Sequence, residues 1–356
     1  MSVEHHYAVV VAGGSGTRLW PMSRTALPKQ MQGLMSDQTL IVETVQRLEG
    51  VLAADHILVS TTENYAEPMK QMLPQIPAEN FIVEPVARGT AAAFALFTSV
   101  IAERDPEALV FTLASDHAIT EVDKFQASVN KAFEHITRHR DRLAFIGITP
   151  TRPDTGLGYI KVRGQSESPG ILRAEKFVEK PSLEVATGYV ESGEYVWNSG
   201  YYCFAAATLL KAYEEADPRL VESAKAYLAS GDAADFEKAP EKVHEIEIID
   251  AGRYPLVVVP ADFRWSDIGN WQALHRALAE VHGSDLVRSR PDQQIAVDSQ
   301  NCLVYSSDDR VIVSAGLDNI AIVSTPDVVF VVNMDRLDSM PEVRRVLKER
   351  NLEGLL

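Results

Sequence analysis

The 356-residue sequence contains only two cysteines, Cys203 and Cys302. Two thiols are too few for the disulfide framework of a small secreted protein, or for a zinc site built from cysteines. Such a chain suits a reducing compartment, and we therefore expect it in the cytoplasm. Cys203 lies in an aromatic-rich stretch that predicts a strand, where a cysteine is expected to be buried and unreactive.

Long apolar runs are also missing. No stretch of about 18 apolar residues occurs, so we expect no membrane-spanning helix. The N-terminal residues 1–6 lack the basic and then apolar build of a signal peptide. Acidic residues outnumber basic ones by 50 to 34, which gives a formal net charge of -16. This balance argues against a nucleic-acid-binding face, while the length suits one large and one small domain.

Acidic residues are absent from one segment near the N-terminus. Between His5 and Ser36 there is no Asp or Glu, although the chain as a whole is acidic. Residues 7–12 form an apolar, β-branched run that is typical of a strand buried on both faces. Three of the next four residues are glycines, which permit a tight turn and expose backbone N–H groups to an anion. Because Arg18, Arg24 and Lys29 follow, the sequence predicts a phosphate-binding loop.

The common phosphate-loop patterns do not describe this segment. The Walker pattern is absent, and the dinucleotide pattern fails because Leu19 occupies its third glycine position. The segment instead resembles the signature G-G-x-G-T-R-L-x-P-x-[ST]-x-x-x-x-P-K of nucleotidylyltransferases that make nucleotide-sugars. The run L-W-P-M-S-R resembles mannose-1-phosphate guanylyltransferases in particular. Every fixed position is met, by Gly13, Gly14, Gly16, Thr17, Arg18, Leu19, Pro21, Ser23, Pro28 and Lys29.

Strand-like and helix-like segments alternate through the first 148 residues. Such alternation predicts a Rossmann-like, mostly parallel sheet with helices on both faces. Ligands of such sheets lie beyond the carboxyl ends of the strands, where Glu84 and Asp116 are expected. The predicted strands are 7–12, 56–60, 81–83, 108–113 and 143–148, and the predicted helices are 38–49, 64–72, 90–103 and 122–138.

Strands and helices continue to about residue 282, and we assign residues 1–282 to one nucleotide- and sugar-binding domain. The polar segment 283–294 predicts a linker. Five short apolar strands then begin near residues 295, 302, 311, 320 and 328 and predict a β-solenoid, followed by a helix at 341–350. The resemblance implies a short left-handed β-helix in this second domain, 283–356. A short solenoid has an open end, so we expect a homodimer.

The resemblance implies nucleotidyl transfer. The phosphate of mannose 1-phosphate attacks the α-phosphorus of GTP, giving GDP-mannose and pyrophosphate. Cations and a metal ion assist such a reaction by bringing two anions together and stabilising the leaving group. Arg18 and Lys29 are expected to bind the triphosphate, because Arg can bond two phosphate oxygens and Lys supplies a point charge. Asp116 and Asp267 are expected to hold Mg²⁺ or another divalent cation.

Further motifs imply the remaining binding residues. Glu84, Arg88 and Thr90 match the nucleotide-binding stretch E-P-x-x-R-x-T, although guanylyltransferases usually read Arg-Asn-Thr-Ala-Pro where this chain has Arg-Gly-Thr-Ala-Ala. That departure leaves the choice of nucleotide open, and a plain helix start is the structural alternative. The motifs G-Y-I, F-V-E-K-P and W-N-S-G imply a sugar-phosphate site formed by Gly158, Glu179, Lys180 and Asn198.

Three hypotheses therefore stand at the level of the sequence. The first is synthesis of GDP-mannose, and the second is the same chemistry with another nucleotide or sugar 1-phosphate. The third is a catalytically silent regulatory subunit. Such a protein could lose one of four charged residues without losing its fold, but all four are present here: Arg18, Lys29, Asp116 and Asp267. Bifunctional forms in this family carry an additional isomerase domain, and we expect no isomerase activity from these 356 residues.

Overall fold

The computed structural model describes residues 4–14, 16–165, 168–245 and 254–356. The strands, numbered along the chain, are β1 (His6–Val11), β2 (Ile57–Thr62), β3 (Phe81–Glu84), β4 (Leu109–Ala114), β5 (Ala118–Ile119), β6 (Leu143–Ile148), β7 (Tyr159–Gln165), β8 (Leu172–Val178), β9 (Tyr195–Ala205), β10 (Leu256–Ala261), β11 (Trp265–Ser266), β12 (Leu286–Arg288), β13 (Gln294–Val297), β14 (Cys302–Ser306), β15 (Ile312–Ala315), β16 (Ile320–Ser324) and β17 (Val329–Asn333). The α-helices are α1 (Leu40–Gln46), α2 (Glu63–Met72), α3 (Gly89–Arg104), α4 (Val122–Arg138), α5 (Leu183–Ser192), α6 (Ala206–Ala216), α7 (Arg219–Ser230), α8 (Ala233–Phe236), α9 (Trp271–His282) and α10 (Met340–Glu349).

Contacts divide the chain into two compact units that do not follow its linear order. The first unit comprises Met1–Gly13, Thr44–Ser115 and Glu121–Phe263. The second comprises Gly14–Glu43, Asp116–Thr120 and Arg264–Leu356. The predicted domains 1–282 and 283–356 divide the sequence in another way and stay a prediction.

The first unit is built on a nine-stranded sheet in the order β3-β2-β1-β4-β9-β6-β10-β8-β7. The strands β1 to β4 pair in parallel, as do β6 and β10. The strand β9 runs antiparallel to both β4 and β6, and β8 runs antiparallel to both β7 and β10. Only β8 and β9 therefore oppose the common direction, and the predicted mostly parallel α/β fold is confirmed.

Helices cover both faces of this sheet. Adjacent residues of a strand point to opposite faces, and in β4 Val110 packs in one apolar cluster with Phe94 and Phe97 of α3. Its neighbour Phe111 instead contacts Phe125 and Phe133 of α4. Both Val110 and Phe111 are fully buried, so this strand lies in the centre of the core. The apolar, β-branched character of such strands follows from burial on both sides.

The second unit contains the predicted β-helix. The strands β12, β14 and β16 stack in parallel, as do β13 and β15. Gln294 pairs with Ile312 and Leu303 with Ala321, so one coil of the chain spans 18 residues. The shorter spacing seen in the sequence corresponds to successive strands within one coil. The last strand, β17, returns antiparallel to β16.

The predicted linker at 283–294 is wrong in part. Leu286–Arg288 forms β12 and pairs in parallel with β14. Val287 in this strand is buried in the core of the unit. Two apolar residues are enough to form this strand because β14 is available to pair with it. The strand was not predicted because the residues on either side of it are polar.

The N-terminal signature segment belongs to the core of the second unit. Trp20 packs edge-on against Phe330 of β17 at 5.4 Å between ring centroids. The indole Nε1 of Trp271, at the start of α9, donates to the Trp20 carbonyl at 3.0 Å. The indole Nε1 of Trp20 itself donates to the Leu355 carbonyl at 2.6 Å. These contacts fix the position of the chain immediately after Arg18.

The helix α4 has the predicted bounds, 122–138, whereas other predicted helices occur with shifted ends. The helix α1 covers 40–46 instead of 38–49, and α2 begins at Glu63 instead of residue 64. The C-terminal helix α10 starts one residue before the predicted 341. Within the described ranges, no helix is long and apolar enough to cross a membrane.

Candidate active site

A lysine and two aspartates meet in the second unit. Lys29 begins a short 3₁₀ turn after Pro28 and is only 4% exposed. Its ammonium Nζ donates to Asp116 Oδ2 at 2.9 Å and to the backbone carbonyl of Asp267 at 2.5 Å. An ammonium has three N–H donors, and contacts with the described part of the chain use two of them, which leaves one for a ligand oxygen. The structure thus brings together three of the predicted site residues that are far apart in sequence.

A short ladder explains why the two aspartates are neighbours. The strands β5 and β11 pair antiparallel, with Ser266 opposite Ala118. Asp116 lies two residues before Ala118 and Asp267 directly after Ser266, so both lie at the same end of the ladder. The Asp267 Oδ1 also accepts from the Gly269 N–H at 3.1 Å. The backbone therefore fixes both aspartates.

The charge of Asp116 is stabilised in place. Burial is the largest single influence and raises the pKa of its carboxyl group. The charges of Lys29 and His117, together with the hydrogen bond from Lys29, outweigh burial, so the pKa lies below its ordinary value. The side chain remains about one-third exposed, at 32%. An ionised, partly exposed carboxylate suits Mg²⁺, which prefers oxygen ligands and keeps several waters.

The two aspartates fit a metal that is completed by ligand oxygens. Among the described residues, no group of three or more His, Cys, Asp or Glu side chains lies close enough to hold a metal ion. A Mg²⁺ ion held by one or two carboxylates and by phosphate oxygens needs no such group. The carboxylates of Asp116 and Asp267 therefore fit the predicted role, which stays a prediction.

His117 is a residue that the sequence analysis did not select. Its Nε2 lies 3.9 Å from Asp116 Oδ1, and its Nδ1 accepts a hydrogen bond from the Trp265 Nε1 at 3.2 Å. The bond from Trp265 makes Nδ1 the acceptor, so neutral His117 carries its proton on the nitrogen that faces Asp116. Adjacency to Asp116 in the sequence was the only signal that could have indicated it.

Gly16 is required by the position of Lys29. Its φ is +56°, and a Cβ atom added there would lie 2.4 Å from the Lys29 Cβ. Any other residue would both strain the backbone and displace the lysine. The neighbouring Gly14 carbonyl accepts from Gln30 Nε2 at 2.9 Å, which ties the loop to the residue after Lys29. The glycines and the lysine of the signature therefore form one structure.

The other cations of the segment have different environments. Arg18 is exposed and, together with Thr17, lines a cavity of about 790 Å³ within the second unit. Arg24 instead forms a double hydrogen bond with the Asp327 carboxylate, at 2.6 Å for each bond. Arg18 is therefore available to a ligand, whereas Arg24 has a structural contact.

Glu84 lies beside the first glycine in the first unit. A Cβ atom added to Gly13 would lie 3.5 Å from Glu84 Oε1. The side chain is 7% exposed, and burial raises its pKa from 4.5 to about 7. A carboxyl group that titrates near neutrality beside a glycine turn is a candidate for contact with a ligand.

The structure places Arg88 and Thr90 in contact with a neighbouring segment. The Arg88 guanidinium donates to the carbonyls of Ala239 at 3.0 Å and Glu237 at 2.5 Å. The Thr90 Oγ1 accepts from the His244 N–H at 2.9 Å. Both residues thus hold the chain that follows α8, and their predicted nucleotide contacts stay untested.

The unusual glycine between Arg88 and Thr90 has a local reason. Gly89 has a φ of +79°, and a Cβ atom there would lie 2.4 Å from the Lys242 carbonyl oxygen. An asparagine at this position would clash with that backbone. The departure from the usual guanylyltransferase motif therefore follows from the close approach of residue 242.

The predicted sugar-phosphate residues converge in the first unit. Tyr159 of β7 pairs with Trp197 on one side and with Val178 on the other. The preceding residue, Gly158, consequently lies between Asn198 and Glu179: its carbonyl accepts from the Asn198 N–H at 2.9 Å, and a Cβ atom on it would lie 2.8 Å from Glu179 Oε2. Gly158 leaves room at this point because it lacks a side chain.

Exposure distinguishes the members of this group. Lys180 has a φ of +45°, and its Nζ lies 2.5 Å from Glu179 Oε1, with both side chains more than half exposed. Asn198 Nδ2 donates to the Tyr202 hydroxyl at 3.4 Å, and that hydroxyl donates to Glu245 Oε1 at 2.9 Å. Tyr202 and Glu245 extend the polar group inwards, and no sequence motif indicated them.

The raised pKa of Glu84 predicts a specific pH dependence of stability. The folded state keeps this proton up to about pH 7, whereas the unfolded state loses it near pH 4.5. The folded state therefore binds more protons in this window, and stability falls as the pH rises from about 4.5 to about 7. In the wild type this fall in the free energy of unfolding should be on the order of 3 kcal/mol. In Glu84→Gln the fall should be absent, as measured by urea unfolding at several pH values.

Glu191→Gln, at an exposed position in α5, is the matched control and should leave the pH profile unchanged. A Glu84→Gln profile parallel to that of the wild type between pH 4.5 and 7 would contradict the assigned burial effect.

The chain matches two family models and several named proteins over most of its length. The family model for nucleotidyl transferase matches residues 7–284, and a model for the MannoseP isomerase/GMP-like beta-helix domain matches residues 292–349. A protein of Escherichia coli (strain K12) named mannose-1-phosphate guanylyltransferase is 31% identical over 98% of this chain and 74% of its own length. One from Klebsiella pneumoniae with the same name is 32% identical, over 96% and 74%.

A solved structure agrees with the fold over nearly the whole chain. The crystal structure of a protein named mannose-1-phosphate geranyltransferase, from Thermus thermophilus, superposes with a TM-score of 0.85. The two sequences are 28% identical, and the match covers 97% of this chain and 99% of that one. The predicted α/β fold with a C-terminal β-helix is confirmed by these matches.

Proposed function

The chain belongs to the nucleotidyl transferase family, and on that premise we propose that it transfers GMP from GTP to α-D-mannose 1-phosphate. The products are GDP-mannose and pyrophosphate. Relatives named mannose-1-phosphate guanylyltransferase match almost the full chain, which favours this reaction over another nucleotide or sugar 1-phosphate. The contacts of Lys29 with Asp116 and Asp267 carry the proposal, because a silent subunit needs no such group of charges.

The reaction needs positively charged groups near the phosphates. A phosphate oxygen of mannose 1-phosphate attacks the α-phosphorus of GTP, and the bond between that phosphorus and the bridging oxygen of the leaving pyrophosphate breaks. Lys29, with one N–H donor not used by the protein, would bind a phosphate oxygen of GTP. Arg18, which is exposed and lines the cavity, would donate hydrogen bonds to two oxygens of the GTP triphosphate.

The remaining residues take binding roles in this proposal. Gly13, Gly14 and Gly16 would present backbone N–H groups to the triphosphate. The further proposed nucleotide contacts are Thr17, Glu84, Arg88 and Thr90. In the sugar-phosphate group, Glu179 and Asn198 would bond sugar hydroxyls, Lys180 would neutralise the phosphate, and Gly158 would give the sugar room.

Asp116 and Asp267 would hold Mg²⁺ or another divalent cation. A bound Mg²⁺ ion supplies charge that neutralises the phosphates and orients them. The β5–β11 ladder brings the two residues to one end of the paired strands, and Asp116 stays ionised with Lys29 beside it. Asp116 would therefore keep its charge before the metal arrives.

A cytoplasmic homodimer completes the proposal. Four aliphatic side chains of the β-helix, on or beside the paired strands β13 and β15, are more than half exposed: Ile295, Val297, Val311 and Val313. Ile295 and Val313 are register neighbours, so they form one apolar surface. A contiguous apolar surface of this kind is typical of a contact between protein chains.

A panel of nucleoside triphosphates and sugar 1-phosphates, assayed for pyrophosphate release, tests the proposed reaction. GTP with mannose 1-phosphate should give the highest kcat/KM. Lys29→Met, which keeps the buried stem, should lower kcat by roughly 100-fold or more, because one positioned donor to developing charge has about that effect. Arg24→Gln removes a nearby charge with a structural role and should retain turnover. Equal turnover in Lys29→Met and wild type would remove the phosphate assignment.

Substitution of one metal-binding candidate should change the response to Mg²⁺. In Asp116→Asn the carboxylate charge is lost while an oxygen remains to accept from Lys29. The Mg²⁺ concentration for half-maximal turnover should rise about tenfold or more, since two carboxylates provide the protein's ligands. The control is Asp309→Asn, which alters an exposed carboxylate of the β-helix. An unchanged Mg²⁺ titration would count against Asp116 as a ligand.

Charge placed on the apolar surface should separate the homodimer. Ile295→Lys combined with Val313→Lys should shift the mass measured by light scattering from that of two chains to that of one, because burying unpaired ammonium groups is costly. Val281→Lys changes an exposed valine of α9 and should leave the mass unaltered. A wild-type protein that is monomeric at micromolar concentration would refute the dimer.

A further inference from the structure

The C-terminal helix α10 forms one wall of the cavity that contains Arg18. This cavity, of about 790 Å³, lies entirely within the second unit. Its lining includes Thr17 and Arg18 from the signature segment, and Gly269 and Asn270, which closely follow Asp267. The cavity is therefore bordered by the signature segment and by the residues just after Asp267, one of the proposed metal ligands.

Packing fixes which face of α10 borders the cavity. Met340, Val343 and Leu347 contact the apolar core of the second unit. Arg344 and Lys348 are four residues apart and so lie on one side of the helix, and both line the cavity. Rotation of the helix would expose these apolar residues to water, so packing keeps Arg344 and Lys348 on the side that borders the cavity.

The charge of the cavity lining is strongly positive. Four cationic side chains line it, together with one acidic residue, Asp338. Arg345 is the cation with a local partner, because it contacts Glu342 and Glu349. Within the described ranges Arg18, Arg344 and Lys348 form no ion pair. In a chain with a formal net charge of -16, three unpaired cations around one cavity indicate a polyanionic ligand.

We propose that Arg344 and Lys348 bind the pyrophosphate end of the nucleotide, and inorganic pyrophosphate itself, in the cavity that Arg18 also lines. This inference rests on the proposed function, which supplies a triphosphate substrate and releases pyrophosphate. The planar guanidinium of Arg344 can bond two phosphate oxygens, while Lys348 adds a point charge. None of the described residues that line the cavity is aromatic, so the cavity suits phosphate groups better than a nucleobase.

The arrangement gives the C-terminal segment a direct part in the reaction. Pyrophosphate develops negative charge as its bond to the α-phosphorus breaks, and cations placed at that end stabilise this charge. Contacts at the leaving group therefore affect nucleotide binding and turnover, but they do not involve the sugar. The KM for GTP should respond to changes in α10, while the KM for mannose 1-phosphate should not.

Calorimetric titration of the full chain with inorganic pyrophosphate and Mg²⁺ tests the site. Arg344→Gln should raise the Kd for pyrophosphate about tenfold, and Arg344→Gln with Lys348→Gln should raise it further. Arg350→Gln removes one positive charge at the end of the same helix, outside the cavity, and should change the Kd less than twofold. Arg344→Lys keeps the charge and should retain part of the affinity. Thermal unfolding midpoints equal to that of the wild type show that the variants fold.

Two results would overturn the proposal. One is wild-type affinity for pyrophosphate in the double variant, and the other is an equal loss in Arg350→Gln, which would reflect only the overall charge. If no GDP-mannose forms but pyrophosphate binding depends on Arg344, the substrate assignment fails and the anion site stands. If GDP-mannose forms and the double variant binds pyrophosphate normally, the anion site fails and the substrate assignment stands.

Discussion

The buried ammonium group of Lys29 is the interaction on which the second unit's charged site depends. Burying an unpaired ammonium costs several kcal/mol, and the 2.9 Å contact with Asp116 offsets this cost. The same contact keeps Asp116 ionised. The bond to the Asp267 carbonyl then joins the β11 segment to the cluster. One cation thus joins three separate parts of the chain and helps to keep Asp116 ionised.

Parts of the site in which a close approach between two residues restricts their types could be predicted from the sequence. Gly16 and Lys29 are one such case, because the lysine occupies the space that a side chain at residue 16 would need. The group around Gly158 is another, since Tyr159 pairs with a strand on each side. In both, the residue types follow from a steric requirement, and such requirements leave a recognisable pattern in the sequence.

Other features depend on partners that no local pattern identifies. The strand β12 exists because β14 is available to pair with it, although its flanking residues are polar. Arg88 and Thr90 contact residues about 150 positions away in the chain. His117 and Tyr202 gain their polar partners only through sheet pairing and packing. Tertiary contacts of this kind decide how a side chain is used, and the sequence alone does not show them.

The distribution of charge follows from these contacts. A chain with a formal net charge of -16 repels polyanionic substrates in general, so its cations must be concentrated where phosphates bind. In the second unit the proposed phosphate-binding cations are held in two different ways. Lys29 is buried and paired, so its position is fixed, whereas Arg344 and Lys348 are directed to a cavity by the apolar face of their helix. Lys29 therefore supplies a fixed charge for the proposed reacting phosphate, whereas the half-buried Arg344 and the exposed Lys348 supply charges from which a departing anion can dissociate.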